Sequence, residues 1–316
     1  MERNIDIDSL MSQENEINES LNQEKEVKPV TEDKPAETEK KVNKTADRGD
    51  GSVDVIQLSN ITHIFNQGQP NEYKLFENFN LTIPDIAGAG QFISIMGASG
   101  CGKSQMLKVI AGLNKFDQGT VKVYGKELDE NHSFPMVFQT YSNFEWYTVL
   151  ENVMLPMLTR GIAKPEAEKR AKDLLERVGL ADHINKSPAK LSGGQQQRVA
   201  IARCLACDSQ IILFDEATGA LDIKMKREVQ NIMLKIFYDK TLPDPTIINV
   251  SHSIEEVCYL SNKVFILQAN PCRIFKEVDI HYTGEETRER GEWVFETQEF
   301  ANYVKLISGY MDSISK

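Results

Sequence analysis

The sequence predicts an α/β fold: a mostly parallel sheet with helices on both faces, joined by an antiparallel β subdomain and a helical insertion subdomain. Three observations carry this. The apolar run Phe92-Ile93-Ser94-Ile95-Met96 leads through the glycine-rich stretch Gly97–Ser104 into the helical pattern Gln105–Ile110, which is one βα unit. Further strand-like runs, Ile211–Phe214, Thr246–Val250 and Lys263–Gln268, alternate with helical segments, as parallel sheets require. From about Thr148 to Ala206 the periodicity is helical only, which marks an insertion.

Taken in order, residues 1–50 hold 14 acidic and 8 basic residues and no aromatic. Such a composition cannot bury enough apolar surface to fold, so 1–52 is expected to be a disordered acidic extension. Ile5–Met11 is its only apolar stretch for a partner. The α/β domain would occupy 53–275, with its helical part at about 140–206, and 276–316 would form a C-terminal strand and helix. Val53–Leu58 and Leu75–Ile83 read as strands around the polar turn Asn66–Asn71, and Thr120–Tyr124 and Pro135–Phe138 as two short ones. In the insertion, Val149, Val153 and Leu155 begin one helix that Gly161 ends. Pro165 opens a second, with Ala167, Ala171, Leu174, Leu175 and Val178 on one face up to Gly179. Ile223–Phe237 is a helix, and Trp293, Phe295, Phe300, Tyr303, Val304 and Ile307 suggest a short strand followed by an amphipathic helix.

Composition narrows the classes further. The 316 residues are 41% hydrophobic, enough for a core, and the net charge of -11 argues against nonspecific nucleic-acid binding, which relies on clustered Lys and Arg. No signal-peptide pattern follows the start, and no apolar run of about 18 residues could span a bilayer, so a soluble, cytoplasmic chain is expected. The five cysteines are odd in number and scattered, which fits a reducing compartment. Cys204 and Cys207 lack a second ligand pair and read as ordinary buried thiols.

Two stretches carry chemistry on their own residues. Gly97-Ala98-Ser99-Gly100-Cys101-Gly102-Lys103-Ser104 is a phosphate-binding loop: its glycines let backbone N–H groups surround phosphates, Lys103 adds charge, and the Ser104 hydroxyl suits Mg²⁺. Asp215-Glu216 closes an apolar strand, where one carboxylate can hold a metal through water and the next can deprotonate an attacking water. A third stretch, Leu191-Ser192-Gly193-Gly194-Gln195-Gln196-Gln197-Arg198, opens a helix about twenty residues earlier in the chain than Asp215.

With that third stretch the chain resembles the ATP-binding cassette (ABC) ATPases, P-loop NTPases whose signature is LSGGQ. The resemblance covers about residues 53–310, with the motifs in the family's order. It implies ATP and Mg²⁺ as ligands, ATP hydrolysis, and a head-to-tail dimer in which Ser192, Gly193, Gly194 and Gln195 face the nucleotide of the other subunit. By the same resemblance Phe65 stacks on adenine, with Tyr73 as substitute. Lys103 and Ser104 hold the β- and γ-phosphates and Mg²⁺, and Gln139 contacts Mg²⁺ and the lytic water. Asp215 holds Mg²⁺, Glu216 is the catalytic base, Asp222 crosses the dimer interface, and His252 contacts the γ-phosphate.

Three positions depart from the pattern: Gln105 stands for Thr, Ala217 for Pro, and Ser253 for Asp. None removes a charged catalytic group. Phe144-Glu145-Trp146-Tyr147-Thr148-Val149 and Asn270-Pro271-Cys272-Arg273-Ile274 resemble importers of the nitrate/sulfonate/taurine type, with Cys272 for Gly. Thr218-Gly219 and Glu151–Pro156 are instead similar to lipoprotein-release and macrolide-efflux ATPases, which stand as the alternative, followed by a soluble non-transport ATPase. Without a channel of its own, the chain implies a transmembrane permease, a second ATPase subunit and a substrate-binding protein as partners. It would then sit peripherally on the cytoplasmic face of the membrane, with the Phe138–Tyr147 aromatics as the docking place. The Cys101 thiol, near a helix N-terminus, is expected to have a lowered pKa and to block ATP binding when alkylated.

Overall fold

The computed structural model describes residues 53–128, 133–240, 244–285 and 287–314; the extension expected at 1–52 lies outside the described residues. Two sheets organise the described part. The antiparallel one has the order β2-β1-β4-β5, from β1 (Ile56–Phe65), β2 (Tyr73–Ile83), β4 (Gln118–Val123) and β5 (Lys126–Glu127). Along β2, Phe79, Leu81 and Ile83 are buried while Asn78, Asn80 and Thr82 are not, the alternation of a sheet with one wet face. β1 runs seven residues past the expected end at Leu58. Register shifts after Leu58, with Asn60 at φ 52, form bulges that let the ladder continue through polar residues.

The second sheet has the order β10-β9-β3-β8-β7-β6. β3 (Gln91–Gly97), β6 (Met136–Val137), β7 (Ile211–Asp215), β8 (Thr246–Val250) and β9 (Lys263–Gln268) are parallel, and β10 (Arg273–Asp279) closes one edge antiparallel. Every residue of β3, β7 and β8 is buried, because both sheet faces are covered. The strand period of two divides the core accordingly. Phe92 and Met96 of β3, with Ile212, Phe214 and Ile247, face one apolar cluster. Ile93 and Ile95, with Ile211, Leu213, Ile248 and Leu267, face the other, shared with the antiparallel sheet.

Seven α-helices complete the described fold: α1 (Lys103–Ile110), α2 (Val149–Thr159), α3 (Lys164–Arg177), α4 (Gly193–Leu205), α5 (Ile223–Phe237), α6 (Ile254–Leu260) and α7 (Gln298–Ile314). α2 starts where Thr148 and Glu151 form a capping box: Glu151 N donates to Thr148 Oγ1 at 3.2 Å and Thr148 N to Glu151 Oε2 at 2.8 Å. The strand expected around Trp293 is instead a 3₁₀ turn, Glu292–Glu296. Val294 N and Thr297 N find acceptors three residues back, and Phe295 packs on Tyr259 with Arg227 over its ring, so local bonds and aromatic contacts replace a ladder. No helix among the described residues is long and apolar enough to cross a membrane.

Candidate functional site

The loop between β3 and α1 is closed by glycines at places where no side chain fits. A Cβ on Gly97 would lie 2.5 Å from the Leu267 carbonyl oxygen, and one on Gly102, at φ 101, would lie 2.7 Å from Phe76 Cζ. The loop Gly97, Ala98, Ser99, Gly100, Cys101, Gly102 therefore turns tightly around Lys103. Its buried Nζ donates to the carbonyls of Gly97 and Ala98, both at 3.0 Å. An ammonium, loop N–H groups and the N-terminus of α1 converge on one small cup, the chemistry that binds phosphate.

The Cys101 side chain does not face that cup. It is fully buried in the core beneath the loop, so only its backbone is offered to a ligand and the expected open thiol is not found. Its thiol pKa is lowered to about 7, chiefly by a hydrogen bond from Cys272, with burial opposing and Lys103 assisting. Cys272 is pushed up in turn.

Beside the cup, the β7 end holds Asp215, whose Oδ1 accepts from Ser104 Oγ at 2.7 Å. Burial raises the Asp215 carboxyl above its ordinary value, opposed by the Ser104 hydrogen bond, with neighbouring Glu216 pushing the same way as burial. Two hard oxygen donors together, one of them a buried carboxyl whose pKa burial raises despite Lys108 and Lys103 nearby, fit a divalent cation such as Mg²⁺. Glu216 follows in a left-handed backbone conformation, φ 50. Its N–H donates to Val250 O at 2.9 Å and its carbonyl accepts from Gly219 N at 2.9 Å. Its Oε1 lies 2.6 Å from Nε2 of His252, and this pair is partly open to solvent. Gln139, exposed just past β6, lies next to the same loop: its Nε2 is 3.5 Å from where a Gly219 Cβ would be.

The remaining expected residues divide into two groups. Phe65 and Tyr73 are cross-strand partners at the β1–β2 hairpin and both are exposed, so either can offer a ring. The amide of Gln105 is engaged by neighbours, with Nε2 3.4 Å from His63 Nε2 and Oε1 accepting from Asn114 at 3.1 Å. Ser192, Gly193, Gly194 and Gln195 open α4. Ser192 N donates to Gln195 Oε1 at 3.1 Å, Gln195 N to Ser192 Oγ at 3.3 Å, and Gln195 Nε2 lies 3.1 Å from His183. Asp222 caps α5 by accepting from Met225 N at 3.0 Å. Among the described residues, none of these bonds reaches the phosphate loop of the same chain.

Glu256, on α6, is missed by motif reading. It is 2% exposed and accepts from Thr218, two residues past Glu216. Its only sequence trace is the spacing Ser253-x-x-Glu256, which reads as a capping box. Ser253 does cap α6, accepting from Glu256 N at 3.4 Å, but the carboxylate turns into the core instead of back to the cap.

A phosphate cup, a buried strand-end carboxylate bonded to the loop serine, and a Glu–His pair on the adjoining strand ends define a P-loop nucleoside-triphosphate hydrolase. The comparisons with known proteins agree. Residues 76–219 match the family model described as ABC transporter. The chain is 38% identical over 251 residues to an uncharacterized ABC transporter ATP-binding protein of Methanocaldococcus jannaschii, covering 79% of this chain and 91% of that one. It is 33% identical to the nitrate import ATP-binding protein NrtD of Synechocystis, covering 81% and 94%. Among solved structures, the dimeric post-hydrolysis state of the ATP-binding cassette MJ0796 bound to ADP and Pi has a TM-score of 0.61 at 32% identity, covering 72% of this chain and 99% of that one. The chain belongs to the ABC transporter ATP-binding proteins: it is an ATP-binding cassette that hydrolyses ATP.

Proposed function

We propose that the chain energises a separate membrane permease for import of a small solute, working as a pair of cassettes that enclose two ATP molecules. The observation that carries the chemistry is the 2.6 Å Glu216–His252 pair beside the 2.7 Å Ser104–Asp215 contact. In this reading the cup of Gly97–Ser104 holds the β- and γ-phosphates, Phe65 or Tyr73 stacks on adenine, and Ser104, Asp215 and Gln139 hold Mg²⁺. The bound metal would neutralise phosphate charge. Glu216 takes a proton from the attacking water while the γ-phosphorus bond to the bridging oxygen breaks and ADP leaves; His252 orients Glu216 and contacts the γ-phosphate.

Ser192–Gln195 and Asp222 serve the nucleotide of a second subunit, identical or paralogous. Support for this comes from their capping bonds, which are local to α4 and α5 and do not involve their own phosphate loop, and from the dimeric cassette with ADP and Pi. Import is favoured because relatives are named for nitrate, bicarbonate, taurine and aliphatic sulfonate import. Trp146, 76% exposed, with Tyr147 and the half-buried Phe144 beside it, gives the helical subdomain an apolar platform for the permease at the cytoplasmic membrane face. A substrate-binding protein would deliver the solute. The test is purification of the chain from solubilised membranes, with uptake of labelled nitrate, taurine, alkanesulfonate and bicarbonate in cells with and without it. A polytopic partner and loss of one uptake support the reading; a soluble complex with all uptakes intact refutes it.

A further inference from the structure

The carboxylate of Glu256 is surrounded by donors from four directions. Thr218 Oγ1 donates to its Oε2, Gln230 Nε2 donates to the same oxygen at 2.9 Å, Lys226 Nζ lies 3.4 Å from it, and Asn249 Nδ2 donates to Oε1 at 3.4 Å. Thr218, Gln230, Asn249 and Glu256 are all buried, so no solvent is available to replace these bonds. Every partner is a donor, and only an acceptor with two oxygens satisfies them together. The donors come from separate elements: Thr218 from the loop after β7, Lys226 and Gln230 from α5, and Asn249 from β8, directly before Val250, whose carbonyl receives Glu216 N.

This places Glu256 at the junction of both catalytic loops. It stands four residues after His252, and its bond to Thr218 fixes a point two residues after Glu216. Glu216 holds a left-handed backbone, φ 50, a conformation that persists only where the surroundings over-determine it. Ala217 packs into the core at 3% exposure but makes no side-chain hydrogen bond. Among the described residues, residues 216–219 are held by Glu216 N to Val250 O, Gly219 N to Glu216 O, Thr218 Oγ1 to Glu256, the turn bond Leu221 N to Thr218 O, and the Glu216–His252 pair; of these only the third ties the loop to α6. Removing the third leaves the Glu216 carboxylate free to drift from His252.

We propose that Glu256 is a positioning residue for ATP hydrolysis, holding Glu216 and His252 in register by clamping Thr218 between β8, α5 and α6. The proposal rests on the reading of Glu216 as base. It predicts a loss in kcat and not in nucleotide binding, since none of the four contacts to Glu256 involves residues 97–104; the link to β3 is the Asn249 Nδ2 bond to Ser94 Oγ at 3.4 Å, which does not depend on Glu256.

The test uses the full chain with Glu256→Gln, Glu256→Ala, Thr218→Val, the Thr218→Val/Glu256→Gln double variant, and Glu216→Gln, measuring kcat, KM for ATP and melting temperature. Glu256→Gln keeps the volume and one acceptor, and kcat should fall about tenfold; Glu256→Ala should fall about 10²-fold, the scale of an ångström-sized misplacement. KM for ATP should stay unchanged, and the double variant should be no slower than the slower single, because both remove one linkage. Wild-type kcat in a folded Glu256→Gln, a raised KM with unchanged kcat, or losses that multiply in the double variant would each overturn the proposal. Turnover retained by Glu216→Gln removes the base reading itself. An inactive Glu216→Gln beside a fully active Glu256→Gln removes only the clamp.

Discussion

Replacing Glu216 with Gln keeps the side-chain volume and an oxygen able to accept from His252, but removes the carboxylate that takes the proton. Loss of a general base costs about 10²- to 10⁴-fold in rate. At 1.36 kcal/mol per tenfold this raises the barrier by about 3–5 kcal/mol. The ground state should hardly notice. The Glu216–His252 pair spans 2.6 Å, but its side chains are 22% and 48% exposed, so solvent screens it and its loss costs at most about 1 kcal/mol of stability. That corresponds to about 2–4 °C in melting temperature for a domain of this size. ATP affinity should persist, because Lys103 and the loop carbonyls it grips are untouched. The assay is single-turnover release of phosphate from radiolabelled ATP, with equilibrium ATP binding and gel filtration with and without ATP. Expected are loss of phosphate release, normal binding, and a dimer that accumulates with ATP. Phosphate release within tenfold of wild type would refute the assignment of Glu216.

Three further outcomes follow from the same geometry. Burial raises the Asp215 carboxyl pKa, so its contribution favours the fold at acid pH and is lost as pH rises through the folded value. Asp215→Asn should therefore melt higher than wild type at neutral pH in EDTA, by about 2–4 °C for each kcal/mol relieved, while losing Mg²⁺-dependent hydrolysis; a lower melting point contradicts this. Gly102→Ala should abolish the thermal shift given by ATP, since φ 101 and a Cβ 2.7 Å from Phe76 both disfavour it. Gly100→Ala, at φ 78 but with open space, should cost only the left-handed strain of about 1–2 kcal/mol, and equal defects in the two would refute the steric account. Alkylation of Cys101 should be slow in the folded chain because the side chain is buried, with a rate that rises through pH of about 7. Cys272→Ala removes the hydrogen bond that lowers the pKa and should move that midpoint upward; an unmoved midpoint, read by mass spectrometry of the labelled peptide, rejects Cys272 as the cause.

Features set by neighbours along the chain are legible in the residues themselves. The βα unit around Gly97–Ser104 depends on apolar period, glycine freedom and a helix start, all local, and appears as β3, loop and α1. The α5, β8 and β9 limits coincide with the apolar runs that announce them. Ser192-x-x-Gln195 closes on itself as a capping box because both partners lie within one helical turn. Local pattern misleads where distant contacts outweigh it. β1 continues past Leu58 because bulges and two flanking strands hold it, and Trp293 and Phe295 lie in a 3₁₀ turn because they have aromatic partners on other elements.

By itself the sequence determined the class of the elements from β3 to β9 that it announces by apolar runs, the phosphate loop and the helix-opening signature, because propensity, period and capping act over a few residues; the turn at Glu292–Glu296 is where it did not. Only the tertiary structure decided which residues share a site. Ser104 meets Asp215 across 111 positions and Glu216 meets His252 because the order β9-β3-β8-β7 brings their strand ends side by side. It also decided that Cys101 turns into the core and that Glu256, which reads as a helix cap, turns inward to Thr218. A buried carboxylate goes where donors converge, and that convergence comes from packing β7, β8, α5 and α6 together, which no local pattern encodes.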